Sequence, residues 1–139
     1  MTSLTRASIY VTIATFFGFF IIEAVLWTYP IVYGTLLPQL NPGMAVEPAT
    51  QAVVLKALFI NQGFYNLMAA AGGVAGVLLL DRGQTEAGLA FIVFCSIFAV
   101  VAAATLLLST QAYLLGFVQL VFPALTLSTI ALRHRKAAL

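Results

Sequence analysis

Apolar residues run along this chain in four long blocks, and polar residues collect between them. A helix that crosses the hydrocarbon of a bilayer needs about 20 mostly apolar residues at a rise of about 1.5 Å each. Four stretches meet that requirement, at about 8–29, 52–80, 87–108 and 112–132. The pattern predicts an all-α fold, an integral membrane bundle of four transmembrane helices in a single domain over 1–139. The segment 34–50 carries Pro38, Asn41, Pro42, Gly43 and Pro48, all turn and breaker residues, and reads as a loop. The second stretch is long enough for a tilted span with extra turns at its start, where Lys56 can snorkel to the interface. Asp81, Arg82 and Gly83 end it. Ser109, Thr110 and Gln111 form so short a link that the third and fourth helices must be antiparallel neighbours.

Composition agrees with the pattern. Of 139 residues 63% are hydrophobic and only 7% charged, which leaves too little polar surface for a water-soluble domain. A net charge of +2 is too small for a phosphate-contacting surface, so no nucleic-acid partner is expected. The lipid bilayer is the expected partner. Arg6, Arg82, Arg133, Arg135 and Lys136 fall on one side of the threading and Lys56 on the other. The positive-inside bias then places both termini in the cytoplasm, with the plasma (inner) membrane as the expected location. The first apolar stretch runs about twice the length of a signal-peptide core and lacks a small-x-small cleavage site, so it is expected to remain in the mature protein. Cys95, the only cysteine, rules out an intramolecular disulfide.

Against this background Glu23 stands out as the one charged residue well inside an apolar stretch. Counted from the cytoplasmic helix ends, Glu23 and Asn66 lie about 14 residues in and Gln119 about 13, roughly 20 Å deep in each case. Gln62 is one turn from Asn66 on the same helix face, flanked by Asn61 and Tyr65, and Trp27 follows Glu23 by one turn. An ionised acid near the bilayer centre costs roughly 2.5–3.5 kcal/mol on insertion scales, and unpaired amides are also penalised. These groups should therefore find one another. A neutral acid and a carboxylate, either one hydrogen-bonded to Asn66 or Gln119, are both open readings. The layer reads as a polar ligand pocket formed by Glu23, Trp27, Asn61, Gln62, Tyr65, Asn66 and Gln119. The plainer alternative is interhelical glue that holds the helices in register. For Trp27, Tyr29 and Tyr33 the plainer alternative is an aromatic belt at the outer interface.

Other features have simpler readings. Gly72 and Gly76 form a GxxxG in a small-residue run that Ala102, Ala103 and Ala104 can match, which permits close packing within the bundle or with a second copy in a homo-oligomer. Pro123 should kink the fourth helix and free the carbonyl of Gln119. Cys95 and Ser96 read as packing residues, since no basic neighbour is visible to activate the thiol. His134, the only histidine, lies in the terminal basic cluster, so neither a metal nor a haem site is expected, and no cofactor is implied. No phosphate-binding glycine loop or nucleophile elbow occurs.

The same residues resemble the small four-helix membrane proteins catalogued as domain of unknown function 1304. Glu23-Ala24-Val25-Leu26-Trp27 is similar to that family's E-x-x-x-W, and Asn61-Gln62-Gly63-Phe64-Tyr65-Asn66 to its N-Q-G-x-Y-N, the most specific element. Ala103-Ala104-Thr105 resembles its A-x-T, and the stretch from Val118 to Ala124 its V-Q-x-x-P-A. The chain departs from the family in carrying Thr15 and Phe16 where members commonly have a Glu-His pair. The resemblance implies a four-helix fold and groups Glu23, Asn61, Gln62, Tyr65, Asn66 and Gln119 together. It implies no activity.

Three functions fit these residues. The first is binding, or proton-linked transport, of a small lipophilic or cationic compound, with Glu23 as anchor and Trp27 and Tyr65 as cavity walls. It is analogous to small multidrug exporters, which also place a glutamate in the first of four short helices. The second is a membrane-embedded isomerase or hydrolase that uses Glu23 as acid or base, with Tyr65, Asn66 and Gln119 orienting the substrate. The third is a structural or assembly subunit whose glycine and alanine face binds a partner. Binding or transport is the reading carried forward as the expectation.

Overall fold

The computed structural model describes residues 1–137, with side chains through Arg133. The side chains of His134, Arg135 and Lys136, part of the expected basic cluster, lie outside the described ones.

Thr2 opens the chain's first helix by accepting a hydrogen bond from the Thr5 backbone N–H at 3.1 Å, a side-chain cap on an otherwise unpaired donor. Helix α1 spans Ser3–Phe20 and continues without a break into a π-helical turn over Ile21–Val25. There the Leu26 N–H bonds the Ile21 carbonyl at 2.9 Å, five residues back, so an extra residue is inserted into the turn that carries Glu23.

The segment read as a loop is mostly helical. Helix α2 occupies Pro30–Leu40 with Pro30 in its first turn, where the missing N–H costs nothing. Pro38 removes only one bond of the ladder, and Thr35 and Gln39 return side-chain bonds to the Ile31 and Thr35 carbonyls. What makes this segment a helix is a stripe at Tyr33, Leu36, Leu37 and Leu40, with i, i+3, i+4, i+7 spacing, which turns towards the bundle. Leu37 is buried with Trp27 and Ala52 in one apolar cluster.

Helix α3 runs Pro48–Asp81, α4 Thr85–Ser109 and α5 Tyr113–Ala137. Gly83 at φ +79° closes α3 in the left-handed conformation open to glycine, and the chain turns directly into α4. Among the described residues four helices are long and apolar enough to cross a membrane: Ser3–Val25, Pro48–Asp81, Thr85–Ser109 and Tyr113–Arg133. They form an all-α bundle that threads up, down, up and down. α1 packs on α3 and α5, α4 packs on the same two, and α1 and α4 barely touch across the diagonal. Large apolar side chains point outward, Phe94 at 70% and Leu114 at 75% exposure, as expected of an outer surface solvated by lipid.

Polar contacts fix the register at the end that carries the termini. Ser8 and Thr126 share a buried hydrogen bond at 2.7 Å between α1 and α5, and Arg6 pairs with Asp81 between α1 and α3. At the opposite end α2 crosses to the α4–α5 link, where the Gln39 carbonyl accepts from the Gln111 N–H at 2.8 Å. Small residues set the α3–α4 spacing, but the partner differs from the sequence expectation. A Cβ on Gly76 would lie 3.0 Å from the Gly88 carbonyl, and one on Gly88 2.8 Å from that of Gly76. Thus Gly76 meets Gly88 rather than the alanines at 102–104, because the tight Gly83 turn brings the start of α4 beside the end of α3.

Candidate functional site

Glu23 and Asn66 meet. The Asn66 carboxamide Nδ2 donates to Glu23 Oε2 at 2.6 Å, from α3 to the π turn that follows α1. Gly63 makes the approach possible: a Cβ there would lie 2.8 Å from both the backbone N and the Cβ of Ala24 and 3.2 Å from the Glu23 Cβ. One turn of α3 therefore supplies bare backbone to admit the acid-bearing turn, followed by the amide that holds the acid. Asn66 is only 2% exposed, and its Oδ1 is buried with no hydrogen-bond partner among the described residues. Exchanging the two ends of the carboxamide does not cure this. If Glu23 were the donor to Oδ1, the Nδ2 group would be the orphan instead.

Beside this pair lies a cavity of about 650 Å³ in the half of the bundle nearer α2. Glu23, Gln62, Tyr65 and Asn66 line it, joined by Gln119 from α5 and Thr105 and Ser109 from α4. Phe19, Phe59 and Phe98 supply aromatic wall, and Leu36 and Leu40 of α2 close it from above. Neither Gln62 nor Gln119 makes a side-chain hydrogen bond among the described residues, so two carboxamides face the space with their bonding capacity unused. Gln119 contributes more than its side chain. Pro123, fully buried four residues later, has no N–H to offer the Gln119 carbonyl.

Two of the residues expected at the pocket stand elsewhere. Trp27 is 1% exposed but does not reach the cavity. Its ring stacks on Phe59 with centroids 3.6 Å apart, and its Nε1 donates to the Ala52 carbonyl at 3.0 Å. It backs the wall that Phe59 forms. The expectation assumed α-helical phase from Glu23 to Trp27, and the π turn followed by the helix end at Leu26 breaks that phase. The same contacts place Trp27 inside the protein rather than in an aromatic belt. Asn61 is exposed and donates to the Tyr65 hydroxyl at 3.1 Å, one residue out of phase with Gln62 and Asn66, which line the cavity. Tyr65 stands at the cavity's edge.

Residues 10–131 match the family described as "Protein of unknown function (DUF1304)". The chain belongs to that family. No curated protein and no solved structure matches the chain. In this DUF1304 protein the N-Q-G-x-Y-N hexapeptide divides its work by helix phase. Gln62 and Asn66 line the cavity, Gly63 admits the glutamate turn, and Asn61 holds Tyr65. At the positions of the Glu-His pair expected of DUF1304 proteins, Thr15 bonds the Val11 carbonyl of its own helix and Phe16 is a core residue packed on Phe98.

The apolar wall was not found from the sequence. Phe19, Phe59 and Phe98 carry no signal that separates a cavity wall from ordinary packing. Leu36 and Leu40 did carry one, the amphipathic stripe of α2, which the count of proline and glycine breakers obscured.

Proposed function

We propose that this protein binds a small lipophilic compound bearing a cationic or hydrogen-bond-donating group in the cavity beside Glu23. The single observation that carries the reading is an open space of about 650 Å³ faced by one carboxyl and by carboxamides without side-chain partners. In a purely structural polar layer these groups would be spent on one another. A donor-bearing ligand supplies what they lack, and the aromatic rings of Phe19, Phe59, Tyr65 and Phe98 suit an ammonium group. Exchange of that cation for a proton at Glu23 would link occupancy to protonation, the step that a proton-coupled carrier needs. The basic residues at the terminal end argue for cytoplasmic termini, which puts the cavity in the outer half of the membrane.

Equilibrium binding of labelled phenethylamine to the full chain in phosphatidylcholine nanodiscs, across pH, tests the proposal. A hydrogen bond to a charged group contributes about 1.5–3 kcal/mol, so Glu23→Gln should weaken binding about tenfold to a hundredfold. Equal affinity in both proteins at every pH would rule the proposal out.

One observation favours a second reading, in which the layer only holds the helices together: Glu23 already has a direct partner in Asn66. On that reading Glu23→Gln changes thermal stability alone, and bulky changes at Gly72 or Gly76 abolish assembly.

A further inference from the structure

Outside the bundle, between α3 and α4, lies a second space of about 550 Å³, a lipid-facing groove. Small residues form its floor, among them Ala71, Gly72 and Ala75, and Phe91 and Phe94 rise on the α4 side. Tyr65 and Phe98 line this groove and also line the cavity. The two spaces therefore share a boundary at these two rings, one from each helix, which form a sill between them.

We propose that the ligand is a single-chain amphiphile. Its donor-bearing head, an ammonium or hydroxyl, enters the cavity over the Tyr65–Phe98 sill while its hydrocarbon tail stays in the α3–α4 groove. This rests on the cavity reading above and names the ligand class for it. Two independent observations converge. The head supplies hydrogen-bond donors to a cavity lined by Gln119, 7% exposed, and Gln62, neither of which makes a side-chain hydrogen bond among the described residues. The tail needs an apolar track that borders that cavity, and from Tyr65 to Ala75 the groove follows α3 for about 15 Å.

Energetics favour this route over entry through the α2 end. A tail that moves from lipid into an apolar groove gives up little, because lipid is as apolar as the groove. Dragging the tail out past Leu36 and Leu40 would expose it to water at about 0.8 kcal/mol per methylene. The head alone has to leave the headgroup region, and the polar layer receives it.

Dodecylamine carrying a photoactivatable diazirine at its terminal carbon, added to the full chain in phosphatidylcholine nanodiscs, tests the inference. Labelled peptides are mapped by mass spectrometry, and the binding of unmodified dodecylamine is measured in parallel. Ala71 is exposed on the groove, so Ala71→Trp fills it without entering the bundle, and Leu114→Trp places the same bulk on a distant lipid face. We expect labels on α3 and α4 along the groove, about tenfold fewer of them in Ala71→Trp and in Glu23→Gln, and no change in Leu114→Trp. Labels spread over all outer faces, or groove labels indifferent to Ala71→Trp, overturn the inference. If Glu23→Gln still weakens phenethylamine binding in that event, the cavity reading stands. If Glu23→Gln leaves both ligands unaffected, both readings fall.

Discussion

Glu23 and Asn66 are chemically dependent on each other, and the dependence can be tested one side chain at a time. Asn66→Ala leaves a buried carboxyl without its partner, a loss of about 1–3 kcal/mol that thermal unfolding in detergent should register. The same assay should separate two glycines on grounds of space. Gly63→Ala places a methyl 2.8 Å from the Ala24 backbone, where nothing flexible can yield, so the π turn must shift and both stability and phenethylamine affinity should fall. Gly18→Ala meets nothing within 4 Å, and the gain in helix propensity, about 0.5–1 kcal/mol, should leave stability equal or higher. Polar residues were the legible part of the site. Glu23, Gln62, Asn66 and Gln119 are conspicuous in apolar stretches because hydrocarbon penalises them, whereas the rings around them look like any other core position.

Helix phase decided which sequence expectations survived. On α3 an uninterrupted α-helix carries Gln62 and Asn66 to one face and Asn61 to the next, as a period of 3.6 residues requires. After α1 the period changes, and Trp27 lands behind Phe59 rather than beside Glu23. No local residue preference announces a π turn, so this could not be read from spacing. α2 teaches the converse. Its prolines suggested a loop, yet Pro30 sits where a helix tolerates it and the apolar stripe was present in plain sequence. Because Leu37 anchors that stripe at 1% exposure, Leu37→Ala should detach α2 and cost about 2–5 kcal/mol. Hydrogen exchange should then quicken in 30–40 while the middle of α4 stays protected, and uniform loss of protection would mean that α2 is no separate lid.

The bundle has two different ends. Towards the termini the helices touch directly, with Ser8 on Thr126 and Gly76 against Gly88, and a smaller space of about 400 Å³ opens around Arg6 and Asp81. Under α2 the helices part around the cavity. That asymmetry makes membrane orientation consequential, and with Glu47→Cys in a Cys95→Ala background a membrane-impermeant maleimide should label intact cells, whereas Arg6→Cys should react only after lysis. The opposite pattern would turn the cavity to the cytoplasm. The central claim is that a ligand's donor group contacts the Glu23 carboxyl. Glutamate occurs three times, at Glu23, Glu47 and Glu86, so isotopic labelling of the side-chain carboxyls gives a spectrum simple enough to read by NMR, with Glu23 assigned from its loss in Glu23→Gln. Titration with phenethylamine should move the Glu23 resonance to saturation and leave Glu47 and Glu86 in place; saturable binding with an unmoved Glu23 resonance would contradict the account.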